Sequence, residues 1–123
     1  MTTTHDSFRG LKVWQRAMDL VEEIYRTTTG FPKDERFGLT AQLRRAAVSI
    51  ASNIGEGKRR KRQRAFLYHL DVALGSQGEV DVQTEIARRV GFIDARTQRR
   101  LQLQIDEVGR MLNGLITSMQ VEE

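Results

Sequence analysis

The densest run of chemistry-bearing side chains is Lys58-Arg59-Arg60-Lys61-Arg62-Gln63-Arg64, six cations in seven residues. Such a run attracts phosphates and gains free energy when their condensed counterions are released. Its surroundings are not basic: residues 1–57 hold eight basic and seven acidic side chains, and residues 65–123 hold six and nine. The net charge of +4 therefore sits in one knot on a nearly neutral chain. The partner this chemistry expects is RNA or DNA, bound through Lys58, Arg59, Arg60, Lys61, Arg62 and Arg64, with Arg44, Arg45, Arg99 and Arg100 as additions. The competing reading is a solvated turn whose cations pair with acids across subunit contacts, because no aromatic residue interleaves with the run as a stacking platform.

Other constellations carry less. Ser49, Ser52, Asn53 and Glu56 recur at helical spacing, which suits either a polar site or a hydrogen-bond network that fixes helix register. The network is the preferred reading, with Arg44 and Arg45 pairing to Glu79, Asp81 or Glu85. A di-iron bundle would need Glu-x-x-His motifs, but the only histidines are His5, in the tail, and His69, which reads as a surface residue. Gly55-Glu56-Gly57-Lys58 is not a phosphate loop: Ser52 stands where its first glycine belongs, and Arg59 where Ser or Thr is required. Cysteine is absent. That excludes disulfides and thiolate sites and agrees with a reducing compartment. No catalytic residue, cofactor site or metal site is expected.

The elements that must position the knot are helical. Residues 11–26 place Leu11, Trp14, Ala17, Met18, Val21, Ile24 and Tyr25 on one face, with Asp6 or Ser7 as a cap. Thr27-Thr28-Thr29, Gly30 and Pro32 predict the stop, and residues 30–38 a connector that tucks Phe31 and Phe37 against the bundle ends. A second helix over 39–55 has an inner face rich in alanine and ends at Gly55-Glu56-Gly57. A third begins within 60–65 and reaches Val90, its face traced by Phe66, Leu67, Leu70, Ala73, Leu74, Gln77, Val80 or Asp81, and Ile86. Gly75 and Gly78 inside it are read as close-packing positions, and Gly91 as the glycine after its end. A fourth starts from a cap at Asp94 or Thr97 and carries the seam Leu101, Ile105, Val108, Leu112, Leu115 and Met119. Short connectors between four such helices imply an all-α, antiparallel up-down four-helix bundle over residues 11–120, after a flexible tail over 1–10. The chain has no apolar run long enough to span a membrane and no signal-peptide pattern, so a cytoplasmic protein is expected.

Several stretches carry a resemblance over roughly residues 8–119. They are GLKVWQRAMDLVEEIY, FP, FGLTAQLRRAAVSIASNIGEGKRR and FLYHLDVALGSQGEVDVQTEIA, the most specific parts being Trp14-Gln15, Leu43 to Ala46, Ser49 to Gly57 and Gly75-Ser76. The sequence resembles the bacterial four-helix-bundle proteins called S23 or 23S rRNA intervening-sequence proteins. It is similar also to the accessory protein of diversity-generating retroelements. The resemblance implies an antiparallel four-helix bundle that assembles as a homopentamer, with nucleic acid as a partner in the accessory protein. Gln77 and Thr84 depart from the family pattern, where apolar residues are expected. Independently, Trp14, Leu74, Leu103 and a second apolar face on the fourth helix exceed one core's needs, which predicts a homo-oligomer.

Overall fold

The structure is a computed structural model and describes residues 7–121. Four helices run in chain order: α1, Lys12–Thr29; α2, Leu39–Arg59; α3, Gln63–Arg89; and α4, Ala95–Val121. Short 3-10 turns, Phe8–Gly10 and Lys33–Glu35, precede α1 and α2, and no strand occurs among the described residues. Pairwise contacts fix the directions. Ser49 meets Ser76 while Asn53 meets His69, so α2 and α3 are antiparallel. Gln77 reaches Ile105 and Gln63 reaches Met119, so α3 and α4 are too. Arg16–Glu107 and Arg100–Glu23 do the same for α1 and α4. Arg44 lies on Thr28 while Gly55 lies on Phe8, which closes the ring through α1 and α2. The chain is an antiparallel up-down four-helix bundle.

One core fills its centre: Leu20 and Ile24 of α1, Ile50 and Ile54 of α2, Leu70 and Val80 of α3, and Leu101, Ile105, Val108 and Leu112 of α4 are fully buried. Each such side chain stabilises by ~1.5–3 kcal/mol relative to exposure, so these ten positions dominate the fold's driving force. The alanines of α2 act as expected. Ala46, Ala47 and Ala51 are buried, and α2 and α3 make the most extensive helix pair in the bundle.

Several boundaries differ from expectation for identifiable reasons. Thr27 to Thr29 do not stop α1, because the Thr28 and Thr29 hydroxyls donate back to the carbonyls of Ile24 and Tyr25, at 2.7 and 2.8 Å, which satisfies them within the helix. Gly55 and Gly57 do not stop α2. Both are buried contact points: a Cβ on Gly55 would touch the Phe8 ring at 3.6 Å, and one on Gly57 would stand 2.8 Å from the His69 Cβ and 3.0 Å from Phe66. These glycines let neighbours approach rather than ending the helix. Of the expected tail, Ser7 caps the turn Phe8–Gly10 through Arg9 N–H, while residues 1–6, with Asp6 and His5, lie outside the described residues.

Other expectations about packing change as well. Phe31 is buried against Phe92, but Phe37 is 84% exposed. Gly75 and Gly78 are not close-packing sites within the chain, since a Cβ on either meets nothing within 4 Å. The glycine that serves this purpose is Gly109, where a Cβ would stand 2.6 Å from Gln77 Nε2. Gln77 uses that space to donate to the Ile105 carbonyl at 2.9 Å, which is how a polar residue fits where an apolar one was expected. Thr84 is buried in the core, and Ile86 turns outward. Trp14, Leu74 and Met111 pack against the core as half-buried residues, so of the named surplus side chains Leu103 is the exposed one. The outward apolar stripe instead follows α3 through Val82, Ile86 and Val90, with Val48 on α2.

Candidate nucleic-acid interface

Because α2 continues through its glycines, Lys58 and Arg59 form its last turn, and the junction proper is only Arg60, Lys61 and Arg62. Lys61 makes the reversal in the left-handed region, φ 60°, where a side chain is disfavoured and Gly or Asn is usual. Arg62 is the residue before α3. It offers no side-chain cap, and the first turn of α3 has no acidic residue. The positive end of the α3 dipole therefore adds to the cations around it.

Of the six basic side chains in the run, Arg60 pairs with Glu56 at 2.7 Å, and that hydrogen bond holds the Glu56 carboxyl below its ordinary pKa. The Lys58 ammonium lies 6.0 Å from the centre of the Phe66 ring. Arg59, Lys61, Arg62 and Arg64 are exposed and have no carboxylate within ion-pair distance among the described residues. Gln63, the one uncharged member, donates to the Met119 carbonyl at 2.8 Å and ties the junction to the end of α4.

Two cations that the sequence reading omitted join this end. Phe8 rests on Gly55, near the end of α2, and the Arg9 guanidinium lies 4.6 Å from the Phe8 ring centre. Lys12 opens α1 at the same end and is exposed. Trp14-Gln15 holds this entry in place: Trp14 meets Phe8 edge-on at 5.1 Å, and Gln15 Nε2 donates to the Arg9 carbonyl at 2.9 Å. The up-down topology, which puts the start of α1 beside the α2–α3 turn, is the one signal in the sequence that could have found Arg9 and Lys12.

The additional arginines stand apart. Arg44 and Arg45 precede Lys58 by four turns of α2, about 20 Å along the axis. Arg44 pairs with none of Glu79, Asp81 or Glu85. Its Nε donates to Thr28 Oγ1 at 2.8 Å and its guanidinium stacks over Tyr25 at 4.5 Å, clasping the end of α1. Asp81 instead accepts from Gln102, and Glu85 from Arg89 and Gln98. Arg45 is exposed. Arg99 and Arg100 lie at the opposite end, with Arg100 3.5 Å from Glu23. A shallow cleft of about 410 Å³ opens there, lined by Glu23, Arg26, Phe92, Asp94, Thr97 and Arg100, whose charges largely pair with one another.

The polar residues of α2 form a network with α3. Ser49 and Ser76 hydroxyls lie 2.8 Å apart, and the Asn53 amide donates to the Ser49 carbonyl and hydroxyl. Asn53 Oδ1 is then the acceptor for His69 Nδ1 at 2.9 Å. His69 is thus a half-buried member of the α2–α3 contact, not a free surface residue; Ser52 is exposed and Glu56 serves Arg60. Among the described residues no three of His, Asp or Glu converge as a metal site would need. No described helix is long and apolar enough to cross a membrane.

Fold and site together define an all-α up-down bundle with one basic corner. The chain belongs to the 23S rRNA-intervening sequence protein family, whose sequence profile it matches over residues 9–114. A similar solved structure is that of a protein of unknown function from the S23 ribosomal protein family of Bacteroides thetaiotaomicron VPI-5482. It is 20% identical, with a TM-score of 0.79 over 85% of this chain and 95% of that one, a likeness of fold. None of the curated proteins matches the sequence.

Proposed function

We propose that this chain is a non-enzymatic, homo-oligomeric bundle that binds structured nucleic acid, RNA or DNA, through its α2–α3 corner. The observation that carries the reading is the set of exposed cations Arg59, Lys61, Arg62 and Arg64, without a carboxylate partner among the described residues, beside an uncapped helix start, with Arg9 of the Phe8–Gly10 turn and Lys12 of α1 at the same end. Cations with no acid to neutralise them are available to phosphates, and each contact made lowers the log–log salt slope by about 0.9 on duplex DNA or 0.7 on single strands. Oligomerisation multiplies the corner, so a long or structured nucleic acid gains by multivalency over a short one. The test is binding of RNA and DNA by the purified protein across a salt series. Steep salt dependence supports the reading, and no binding at low salt ends it.

A second reading, an interaction scaffold without a nucleic-acid role, is favoured by the outward stripe Val82, Ile86 and Val90. Exposed apolar side chains aligned along one helix mark a contact surface. Both readings require self-assembly, and the number five rests on the family resemblance. A monomer by native mass spectrometry at micromolar concentration would contradict the assembly.

A further inference from the structure

We infer that Tyr68 is a base-stacking residue, so that the basic corner takes nucleic acid with unpaired bases in preference to continuous duplex. The inference rests on the nucleic-acid reading above and narrows its ligand. The run 58–64 contains no aromatic side chain, yet it leads directly into the first turn of α3, and Tyr68 stands in the next turn. Arg64 and Tyr68 are four residues apart, which makes them neighbours on one helix face with Cβ atoms about 5–6 Å apart. A phosphate held by Arg64 therefore places an adjoining base within reach of the Tyr68 ring. Asp71, exposed three residues further on, sets the far limit of the track by repelling phosphate.

Tyr68 differs from the other aromatic rings near the corner. Phe66 is half-buried beneath Lys58, and Phe8 is half-buried against Trp14 and Gly55. Tyr68 is 64% exposed. Its ring lies near-perpendicular to that of His69, with centroids 5.3 Å apart and planes at 78°, and its exposure leaves ring surface available for stacking. His69 in turn is fixed. Its Nδ1 lies 2.9 Å from Asn53 Oδ1, and its Cβ closes on Gly57. The Asn53 amide is spoken for by Ser49, so the imidazole proton is assigned to Nδ1. The polar chain Ser76–Ser49–Asn53–His69 thereby holds one rigid edge beside an exposed aromatic ring next to cations that have no carboxylate partner among the described residues. That pairing of cation track and aromatic face is how proteins bind single strands without reading sequence.

The experiment compares the full-length wild type with Tyr68→Ala and Tyr68→Phe, using a labelled pyrimidine single strand and the matched duplex. Tyr68→Ala is expected to lower single-strand affinity roughly tenfold, with Tyr68→Phe close to wild type, because the ring face and not the hydroxyl does the stacking. Duplex affinity and the salt slope should not change, since the cations remain. Equal single-strand affinity in wild type and Tyr68→Ala, while replacing Arg59, Arg60 and Arg62 still weakens binding, overturns the stacking inference and leaves the basic corner standing. Loss of the assembled mass in Tyr68→Ala without a change in nucleic-acid preference overturns it too, by assigning the ring to a second copy. Absence of binding by the wild type overturns both.

Discussion

At the α3–α4 end of the bundle, Arg89 lies 2.9 Å from Glu85, Arg100 3.5 Å from Glu23, and Arg26 3.0 Å from Glu23, while Gln98 joins Glu85. At the α2–α3 end a comparable number of cations is present, but Arg60 alone has a carboxylate partner among the described residues. The backbones differ in the same sense. Gly91 makes the α3–α4 reversal at φ 87°, the Phe92 N–H returns to the Ala87 carbonyl at 2.8 Å, and Asp94 caps α4 through the Thr97 N–H. The α2–α3 reversal puts Lys61 in the left-handed region and leaves α3 without a side-chain cap. One end pairs Arg26, Arg89 and Arg100 with carboxylates around a well-formed turn. The other leaves Arg59, Lys61, Arg62 and Arg64 without a carboxylate partner among the described residues, in a turn that is less favourable locally. Counting arginines would rank the two ends alike, and the first also has arginines without an ion pair among the described residues, Arg88, Arg96 and Arg99. What sets the second apart is that its unpaired cations form one continuous run beside an uncapped helix start.

The largest effect expected from testing this contrast is at Gly57, which brings α2 and α3 together beneath the basic turn. Gly57→Leu should overpack the contact with Phe66 and His69 and cost about 1–3 kcal/mol in urea unfolding. An unchanged midpoint would mean that the corner is not braced there. Next come the two left-handed residues. Gly91→Ala should destabilise by about 1–2 kcal/mol, because the new Cβ crowds the following carbonyl. Lys61→Gly should do the reverse, stabilising by up to about 1 kcal/mol while removing one phosphate contact, or about 0.7–0.9 of salt slope. Stability and binding that move in opposite directions would show strain retained for charge; a Lys61→Gly protein that is less stable would remove that account.

A smaller effect concerns acid. Asp94 is held below its ordinary pKa chiefly by the Thr97 N–H, so its folded pKa is lower than its unfolded one. Its linked stability is present above the unfolded value, near 3.9, and is lost as pH falls through the folded value. Asp94→Asn should therefore be less stable than wild type near neutrality, with the gap narrowing below about pH 4. A gap independent of pH would assign the cap's effect to shape alone.

Most of the fold was legible because helical periodicity and the α4 seam report burial directly: Leu101, Ile105, Val108 and Leu112 sit where their spacing places them. What escaped was decided by contacts between helices. Gly55 and Gly57 look like a stop in isolation, and only Phe8, Phe66 and His69 explain why the helix continues. Gly75 and Gly78 look like packing glycines, but the space beside them is open, while Gly109 receives Gln77. Gly75→Ala should accordingly add about 1 kcal/mol of helix propensity to an isolated protomer. A loss instead would place a second copy over that face. Of the site, the run 58–64 was legible from charge alone. Its division into free and paired cations was not, nor was the engagement of Arg44 with Thr28 and Tyr25, because partners sixteen and nineteen residues away are set by the fold.

The central claim, that pairing and not charge makes the α2–α3 corner the interface, is tested most directly by two triple variants assayed on one RNA and one DNA across a salt series. Arg59→Ala, Arg62→Ala and Arg64→Ala together should flatten the slope by about two to three units per engaged subunit while the fold is retained. Arg26→Ala, Arg89→Ala and Arg100→Ala together remove the same formal charge from the paired arginines of the opposite end and should leave the slope close to wild type. Equal losses in the two variants, or an unaltered slope in the first, would contradict the assignment.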